Sequence, residues 1–183
     1  LFEGNFYRSL QRLQIGRQDV DEILTEVGRK VQLRLGDMAL FDGIPAALAA
    51  LSAAGPLYVI TSNQGTAVEA YLERVGLRAC FRDVLGVEAH PSKIQKIGLV
   101  RRLHPRQSLV YVGDTVGDLR EARSARVQTA AVTWGWHDHE RLAREAPDFL
   151  LTRPLDLLRL AEPVSPARTA PVADQAVGQD ARP

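Results

Sequence analysis

Short apolar runs along this chain alternate with stretches in which apolar residues recur at helical spacing. The runs predict strands at Leu57–Ile60, Asp83–Val87, Leu109–Val112, Thr129–Val132 and Phe149–Leu151. The helical spacing predicts helices from Ile44 to near Gly55, from after Asn63 to Gly76, and at Lys93–Leu103, Gly117–Ala125, His139–Glu145 and Pro154–Leu160. Strands that alternate with helices indicate an α/β fold with a parallel sheet covered by helices on both faces.

The two ends of the chain depart from this pattern. Residues 1–38 show helical spacing without a strand signal and predict two or three helices that pack on another part of the protein. Residues 162–183 contain Pro, Ala, Ser, Asp and Gln with almost no large apolar residue, which predicts disorder. We therefore assign the α/β core to residues 39–161.

Composition narrows the classes of function. The net charge is +1 and the basic residues are scattered, so we expect no nucleic-acid partner. No apolar run approaches the ~18 residues of a membrane span, and no signal-peptide pattern opens the chain. The one cysteine, Cys80, excludes an internal disulfide framework and fits a reducing compartment. We therefore expect a cytoplasmic protein without a membrane partner.

The stretch from Val110 to Asp118 is the strongest candidate for chemistry. Gly113 follows a predicted strand, so Asp114 lies at its carboxyl end, and Asp118 follows one helical turn later. Two acids at the carboxyl edge of a parallel sheet provide hard oxygen ligands suited to Mg²⁺. The alternative is structural, with Asp114 as a helix cap and Asp118 as a solvated acid in the first turn.

Polar residues also follow the strand at Leu57–Ile60. Thr61 and Ser62 carry hydroxyls, and together with Asn63 they offer successive backbone N–H groups before a helix, which suits a phosphate group. Any of the three can instead serve only as an N-cap.

Two lysines begin the predicted helix at Lys93–Leu103. A cation at a helix start is opposed by the helix dipole, which suggests that Lys93 meets an anion. Lys96 lies one turn later and can take the same role, and both can also belong to a solvated helix face.

In this order, three segments resemble motifs two, three and four of the haloacid dehalogenase superfamily. They are Tyr58-Val-Ile-Thr-Ser-Asn63, Ser92-Lys-Ile-Gln-Lys-Ile97 and Val110-Tyr-Val-Gly-Asp-Thr-Val-Gly-Asp118. The segments Ala131-Val-Thr-Trp-Gly-Trp136 and Ala146-Pro-Asp148 resemble the closing stretch of its phosphoglycolate-phosphatase-like members. The resemblance covers the predicted core and implies a Rossmann-like sheet, with residues 1–38 as part of a helical cap.

The resemblance also implies roles for the candidate residues. In the family a strand-end hydroxyl holds the phosphoryl group, a lysine steadies the phosphoryl group and the nucleophile, and the motif-four acids hold magnesium. These roles fall to Thr61 with Ser62 and Asn63, to Lys93 or Lys96, and to Asp114 with Asp118. The implied activity is Mg²⁺-dependent hydrolysis of a small phosphorylated metabolite through an aspartyl-phosphate.

The family's nucleophile motif, Asp-x-Asp-Gly-Thr, does not occur in this sequence. Leu40-Phe-Asp-Gly-Ile44 has Leu40 where the nucleophile belongs and lies at the turn that leads from cap to core, and Asp19-Val-Asp21 follows no strand. In the family that motif ends the first strand, which lies between the strands at Leu57–Ile60 and Leu109–Val112. We therefore expect an inactive fragment of a longer phosphatase that lacks this strand and the start of the cap.

Two other interpretations stay open. The chain can be a non-catalytic phosphate-binding or partner-binding module derived from the same fold, or a receiver-like α/β domain that uses Asp114 otherwise. For a phosphatase, phosphoglycolate, a sugar phosphate and a nucleotide monophosphate are all candidate substrates. We assign His137 and His139, which follow the fourth predicted strand, to surface or loop positions rather than to a metal site.

Overall fold

The computed structural model describes residues 16–34 and 37–161. The predicted tail at 162–183 lies outside the described residues, as do residues 1–15 and 35–36 of the predicted cap. Within the described part, no helix is long and apolar enough to cross a membrane.

Helices and strands alternate through the core, as the sequence predicts. The helices are α1 (Arg17–Arg34), α2 (Ile44–Ala54), α3 (Gly65–Arg74), α4 (Lys93–Leu103), α5 (Val116–Ser124) and α6 (His139–Ala143). The strands are β1 (Leu57–Ile60), β2 (Phe81–Leu85), β3 (Val110–Gly113), β4 (Gln128–Val132) and β5 (Phe149–Leu151). Two 3₁₀ helices, Arg78–Cys80 and Pro154–Leu160, complete the described elements.

The strands form two parallel sheets rather than one. Strand β1 pairs with β2, and β3, β4 and β5 pair in that order. Among the described residues, no strand joins β1 to β3. The division falls between the two strands where the family resemblance places an additional strand.

The strands beside the division are more exposed than β4, which has a neighbour on each side. Four of the five residues of β4 are buried, whereas β1 and β3 contain none, and Val112 in β3 is 41% exposed. Thr61 N–H donates to Leu85 O and Gln128 N–H to Leu109 O. Because backbone groups alternate in direction along a strand, those of Ile60 and Val112 point toward the division.

Helices hold the two sheets together. On one face, α2 packs against both, because Ile44 contacts the clusters around Ala130 in β4 and around Val84 in β2. On the other face, Ile97 of α4 packs with Ile60 of β1 and Tyr111 of β3. The predicted arrangement of a parallel sheet covered on both faces is therefore confirmed, with α2 and α4 bridging the division.

One predicted strand is displaced by more than one residue. The second strand is Phe81–Leu85 instead of Asp83–Val87. Gly86 leaves the strand because its backbone approaches Gly65 at the start of α3, and Val87 N–H turns to donate to Asn63 O at 2.9 Å. This tertiary contact has no signature in the local apolar pattern.

Candidate active site

The candidate residues lie at the carboxyl ends of β1 and β3, on either side of the division. Thr61, Ser62 and Asn63 follow β1, and Asp114 follows β3. The start of α4 faces both strand ends and supplies the two lysines. Loops after parallel strands open on the same sheet edge, which is where α/β folds bind ligands.

Lys96 ties together the ends of the two paired strands β1 and β2. Its side chain is fully buried, and Nζ donates to Thr61 O at 2.5 Å and to Gly86 O at 3.1 Å. Desolvation is the main cause that lowers the pKa of Lys96, followed by the positive charge of Lys93. The ammonium of Lys96 is therefore committed to main-chain carbonyls.

Lys93 reaches across the division to α5, the helix that follows β3. Its Nζ lies 2.5 Å from Asp118 Oδ1, and 20% of the Lys93 side chain is exposed. Tyr111 donates to the same oxygen at 3.3 Å, and Thr115 Oγ1 donates to Asp118 Oδ2 at 2.7 Å. Burial, with the charge of Asp118 second, raises the pKa of Tyr111 well above 10, so Tyr111 stays a hydrogen-bond donor at neutral pH.

The loop that follows β4 donates hydrogen bonds to Asp114. Trp136 N–H donates to Asp114 Oδ2 at 2.8 Å, and His137 N–H donates to Asp114 O at 3.1 Å. A Cβ atom on Gly135 would overlap the Asp114 carboxylate. The two acids follow the same strand but contact different partners, because α5 begins only at Val116.

The Thr61 hydroxyl faces the backbone of its own turn. Asn63 N–H donates to Thr61 Oγ1 at 3.1 Å, and Asn63 itself is exposed. The N-terminal amide of α3, Gly65 N–H, donates to Glu88 Oε1 at 2.9 Å. The first amide of this helix is therefore already hydrogen-bonded to a carboxylate. The Thr61–Asn63 turn beside it is the polar surface that remains for a phosphate group.

The residues present fit a magnesium ion. Mg²⁺ commonly takes one or two protein carboxylates and completes its shell with water and substrate phosphate oxygens. Asp114 commits Oδ2 to an N–H and keeps a second carboxylate oxygen, while Asp118 is neutralised by Lys93. The described residues contain no group of three or more His, Cys, Asp or Glu side chains arranged as a metal site, so substrate and water would supply the remaining ligands.

Sequence reasoning missed two contributors to this edge. His137 lies in a loop, which is one of the two expected positions, but it is 5% exposed and therefore not at the surface. The sequence does not indicate the contact between Glu88 and Gly65, because a lone acid in a loop has no distinctive local pattern. The Trp134-Gly-Trp136 segment could have indicated that the loop before His137 packs closely on another part of the chain, since a glycine between bulky residues marks a close backbone approach.

The sequence is similar to proteins of one known family. The family model for haloacid dehalogenase-like hydrolases matches residues 4–132. A phosphoglycolate phosphatase of Synechococcus elongatus is 36% identical over 141 residues, which cover 72% of this chain and 65% of that protein. The probable phosphatase IndB of Dickeya dadantii is 30% identical over 166 residues, which cover 84% of this chain and 72% of that protein.

A solved structure shows the same fold. A haloacid dehalogenase-like family hydrolase from Streptococcus pneumoniae superposes with a TM-score of 0.70 at 24% identity, covering 83% of this chain and 74% of that one. The chain spans 65% of the length of its Synechococcus relative, just under two thirds. The family match, the relatives and the parallel sheets agree, and the chain belongs to the haloacid dehalogenase-like hydrolases.

Proposed function

We propose that this chain forms the phosphate- and magnesium-binding part of a phosphate-monoester hydrolase. The observation that carries the proposal is the pair of lysines on α4. Lys96 fixes the end of β1 through Thr61 O, and Lys93 contacts Asp118 beyond β3. One helix thereby brings the proposed phosphate-binding turn and the proposed magnesium-binding acids to one edge of the fold.

Charge neutralisation is the chemistry that this edge offers. Uncatalysed hydrolysis of phosphate monoesters is among the slowest reactions, and its transition state carries negative charge on the phosphoryl oxygens. Thr61, Ser62 and Asn63 would orient the phosphoryl group through hydroxyl and N–H donors. Lys93 is better placed than Lys96 to meet it, because Lys96 is buried against carbonyls. Asp114 would hold Mg²⁺ through its second carboxylate oxygen, with Asp118 in support, and the bound ion would supply further positive charge.

The covalent part of the reaction needs a nucleophile that these residues do not provide. We place it, as an aspartate that forms an aspartyl-phosphate, on an additional strand between β1 and β3. Among the described residues no strand pairs with the facing edges of β1 and β3, and Val112 is 41% exposed, which supports this placement. Such a strand would pair with both edges and end beside Thr61 and Asp114. Residues 1–183 alone would then bind phosphate without turning it over.

The test uses the polypeptide isolated from the cell that makes it. Its N-terminal sequence and intact mass would show whether an apolar strand ending in Asp-x-Asp-Gly-Thr is present. We expect that polypeptide to hydrolyse p-nitrophenyl phosphate with Mg²⁺, and residues 1–183 to be inactive under the same conditions. Turnover by residues 1–183 alone would contradict the proposed division of the site.

The natural substrate is proposed to be a small phosphorylated metabolite. The relative from Synechococcus is named a phosphoglycolate phosphatase, which makes phosphoglycolate the first compound to screen. Sugar phosphates and nucleotide monophosphates form the comparison set. Helices outside the α/β core, which include α1, are proposed to form the cap that selects among them.

A second candidate is a non-catalytic phosphate-binding module of the same fold. The absence of Asp-x-Asp-Gly-Thr from the 183 residues favours it. The two candidates differ in turnover by the natural polypeptide. A module would bind inorganic phosphate but release no product from any of the three substrate classes. Loss of phosphate binding in Thr61→Val, with Thr152→Val as a matched exposed control, would be common to both.

A further inference from the structure

His137 is a buried polar residue that the proposed chemistry does not use. It lies in the loop from Thr133 to Asp138, here called the β4–α6 loop, and is 5% exposed. Its ring Nδ1 accepts a hydrogen bond from Val116 N–H at 3.0 Å, and this bond is buried. Val116 is the first residue of α5, so the imidazole satisfies one of the amides that a helix leaves without an intrahelical partner.

The hydrogen bond fixes the form of the ring. A ring nitrogen that accepts from a backbone N–H carries no proton, so Nε2 carries the proton of a neutral imidazole. Carboxylates are favoured at helix N-termini by the dipole, yet one here would add a third negative charge beside Asp114 and Asp118. A neutral acceptor caps the helix without that repulsion.

The same loop holds the Asp114 carboxylate. With the His137 ring bound under α5, its own N–H reaches Asp114 O at 3.1 Å and the preceding Trp136 N–H reaches Asp114 Oδ2 at 2.8 Å. The residue before Trp136 must be a glycine, because a Cβ atom on Gly135 would overlap the Asp114 carboxylate. Three consecutive residues therefore meet one aspartate.

Both ends of the loop are anchored in the core. On one side, β4 is buried through Ala130, Ala131 and Val132. On the other, Asp138 caps α6 by accepting from Arg141 N–H at 2.8 Å. The loop is thus held at each end, and the His137 ring is its contact with α5.

We propose that His137 is a positioning residue that fixes the Asp114 carboxylate for cation binding through the β4–α6 loop. The cation role of Asp114 rests on the proposed function. The positioning itself does not, because it is a hydrogen-bond network within this chain. Partners of metal ligands in other proteins change metal affinity by about 10- to 100-fold when they are substituted.

The first experiment is NMR on the full chain without metal. The unsubstituted protein should show His137 as a neutral ring protonated at Nε2, and the Trp136 amide should resonate downfield and exchange slowly. Both features of the Trp136 amide should be lost in His137→Ala and in Gly135→Ala, and kept in His139→Ala, which changes an exposed histidine two residues away. A ring protonated at Nδ1, or an unchanged Trp136 amide in His137→Ala, would overturn the proposal.

The second experiment measures Mn²⁺ affinity by electron paramagnetic resonance, well below the unfolding temperature of each variant. We expect His137→Ala and Gly135→Ala to weaken Mn²⁺ binding by about 10- to 100-fold, and His139→Ala to leave it within about twofold. A purely structural role would lower thermal stability and leave affinity unchanged, which would refute positioning. If the unsubstituted chain binds no Mn²⁺, the proposed cation role of Asp114 fails, while the NMR result still decides whether His137 positions it. If His137→Ala does not fold, Gly135→Ala and the tautomer of the unsubstituted ring decide.

Discussion

Replacing Lys96 by methionine tests whether this buried lysine holds the ends of β1 and β2 together. The substitution removes the ammonium that bonds Thr61 O and Gly86 O but keeps most of the apolar stem. Each carbonyl left without a partner costs about 1–3 kcal/mol, which gives about 2–6 kcal/mol for the two. Removing the buried charge offsets part of this cost, so we expect the free energy of unfolding to fall by about 2–4 kcal/mol.

Urea-induced unfolding followed by circular dichroism at pH 7 measures this loss. With a slope of about 2 kcal/mol per molar urea, the midpoint should fall by about 1–2 M. Lys30→Met is the matched control, because Lys30 is exposed on α1 and its ion pair with Glu26 is worth at most about 1 kcal/mol. A Lys96→Met protein within about 0.5 kcal/mol of the unsubstituted one would refute the reasoning.

The pH dependence of the same variant supplies a second check. Because the folded pKa of Lys96 is lowered from 10.5, the unfolded chain holds this proton more tightly. The free energy of unfolding then rises with pH between the lowered pKa and 10.5, and Lys96→Met lacks this rise. The difference between the two proteins should therefore widen as the pH approaches 10.5.

Three further substitutions test the fold by the same unfolding measurement. Glu145→Gln should remove stability that is present above pH ~4.3 and lost on acidification, because the hydrogen bond from Arg120 lowers the pKa of Glu145. Leu142→Ala should cost about 2–5 kcal/mol, because this leucine is fully buried. Gly43→Ala should cost about 1–3 kcal/mol, because φ is 87° and a Cβ would press on Leu155.

Matched positions serve as controls for these changes. Leu158→Ala, at a 40% exposed leucine, should cost less than Leu142→Ala. Gly76→Ala shares the left-handed backbone, with φ of 72°, but a Cβ there meets nothing within 4 Å, so it should cost less than Gly43→Ala. If the two leucine variants, or the two glycine variants, lost equal stability, the packing described for Leu142 or Gly43 would be contradicted. A Glu145→Gln protein that loses stability in acid as steeply as the unsubstituted one would contradict the assigned ion pair.

Local pattern carried much of the fold. The apolar runs located all five described strands, with an error of more than one residue only in the second, and helical spacing located α2 to α6. Glycine and the polar residues after β1 and β3 marked Thr61 and Asp114 as strand-end positions, and the structure places them there. These features follow from neighbouring residues, which the sequence displays directly.

Long-range approach decided the rest. The sequence offers Lys93 and, as an alternative, Lys96 for the same role, yet one contacts Asp118 across the division and the other is buried under two carbonyls. The burial of His137 depends on where α5 begins relative to a residue that lies 21 positions later in the chain. Sequence alone thus determined which residue types stand at the strand ends. Only the tertiary structure decided which of them meet, because hydrogen-bond partners and burial arise from contacts between distant segments.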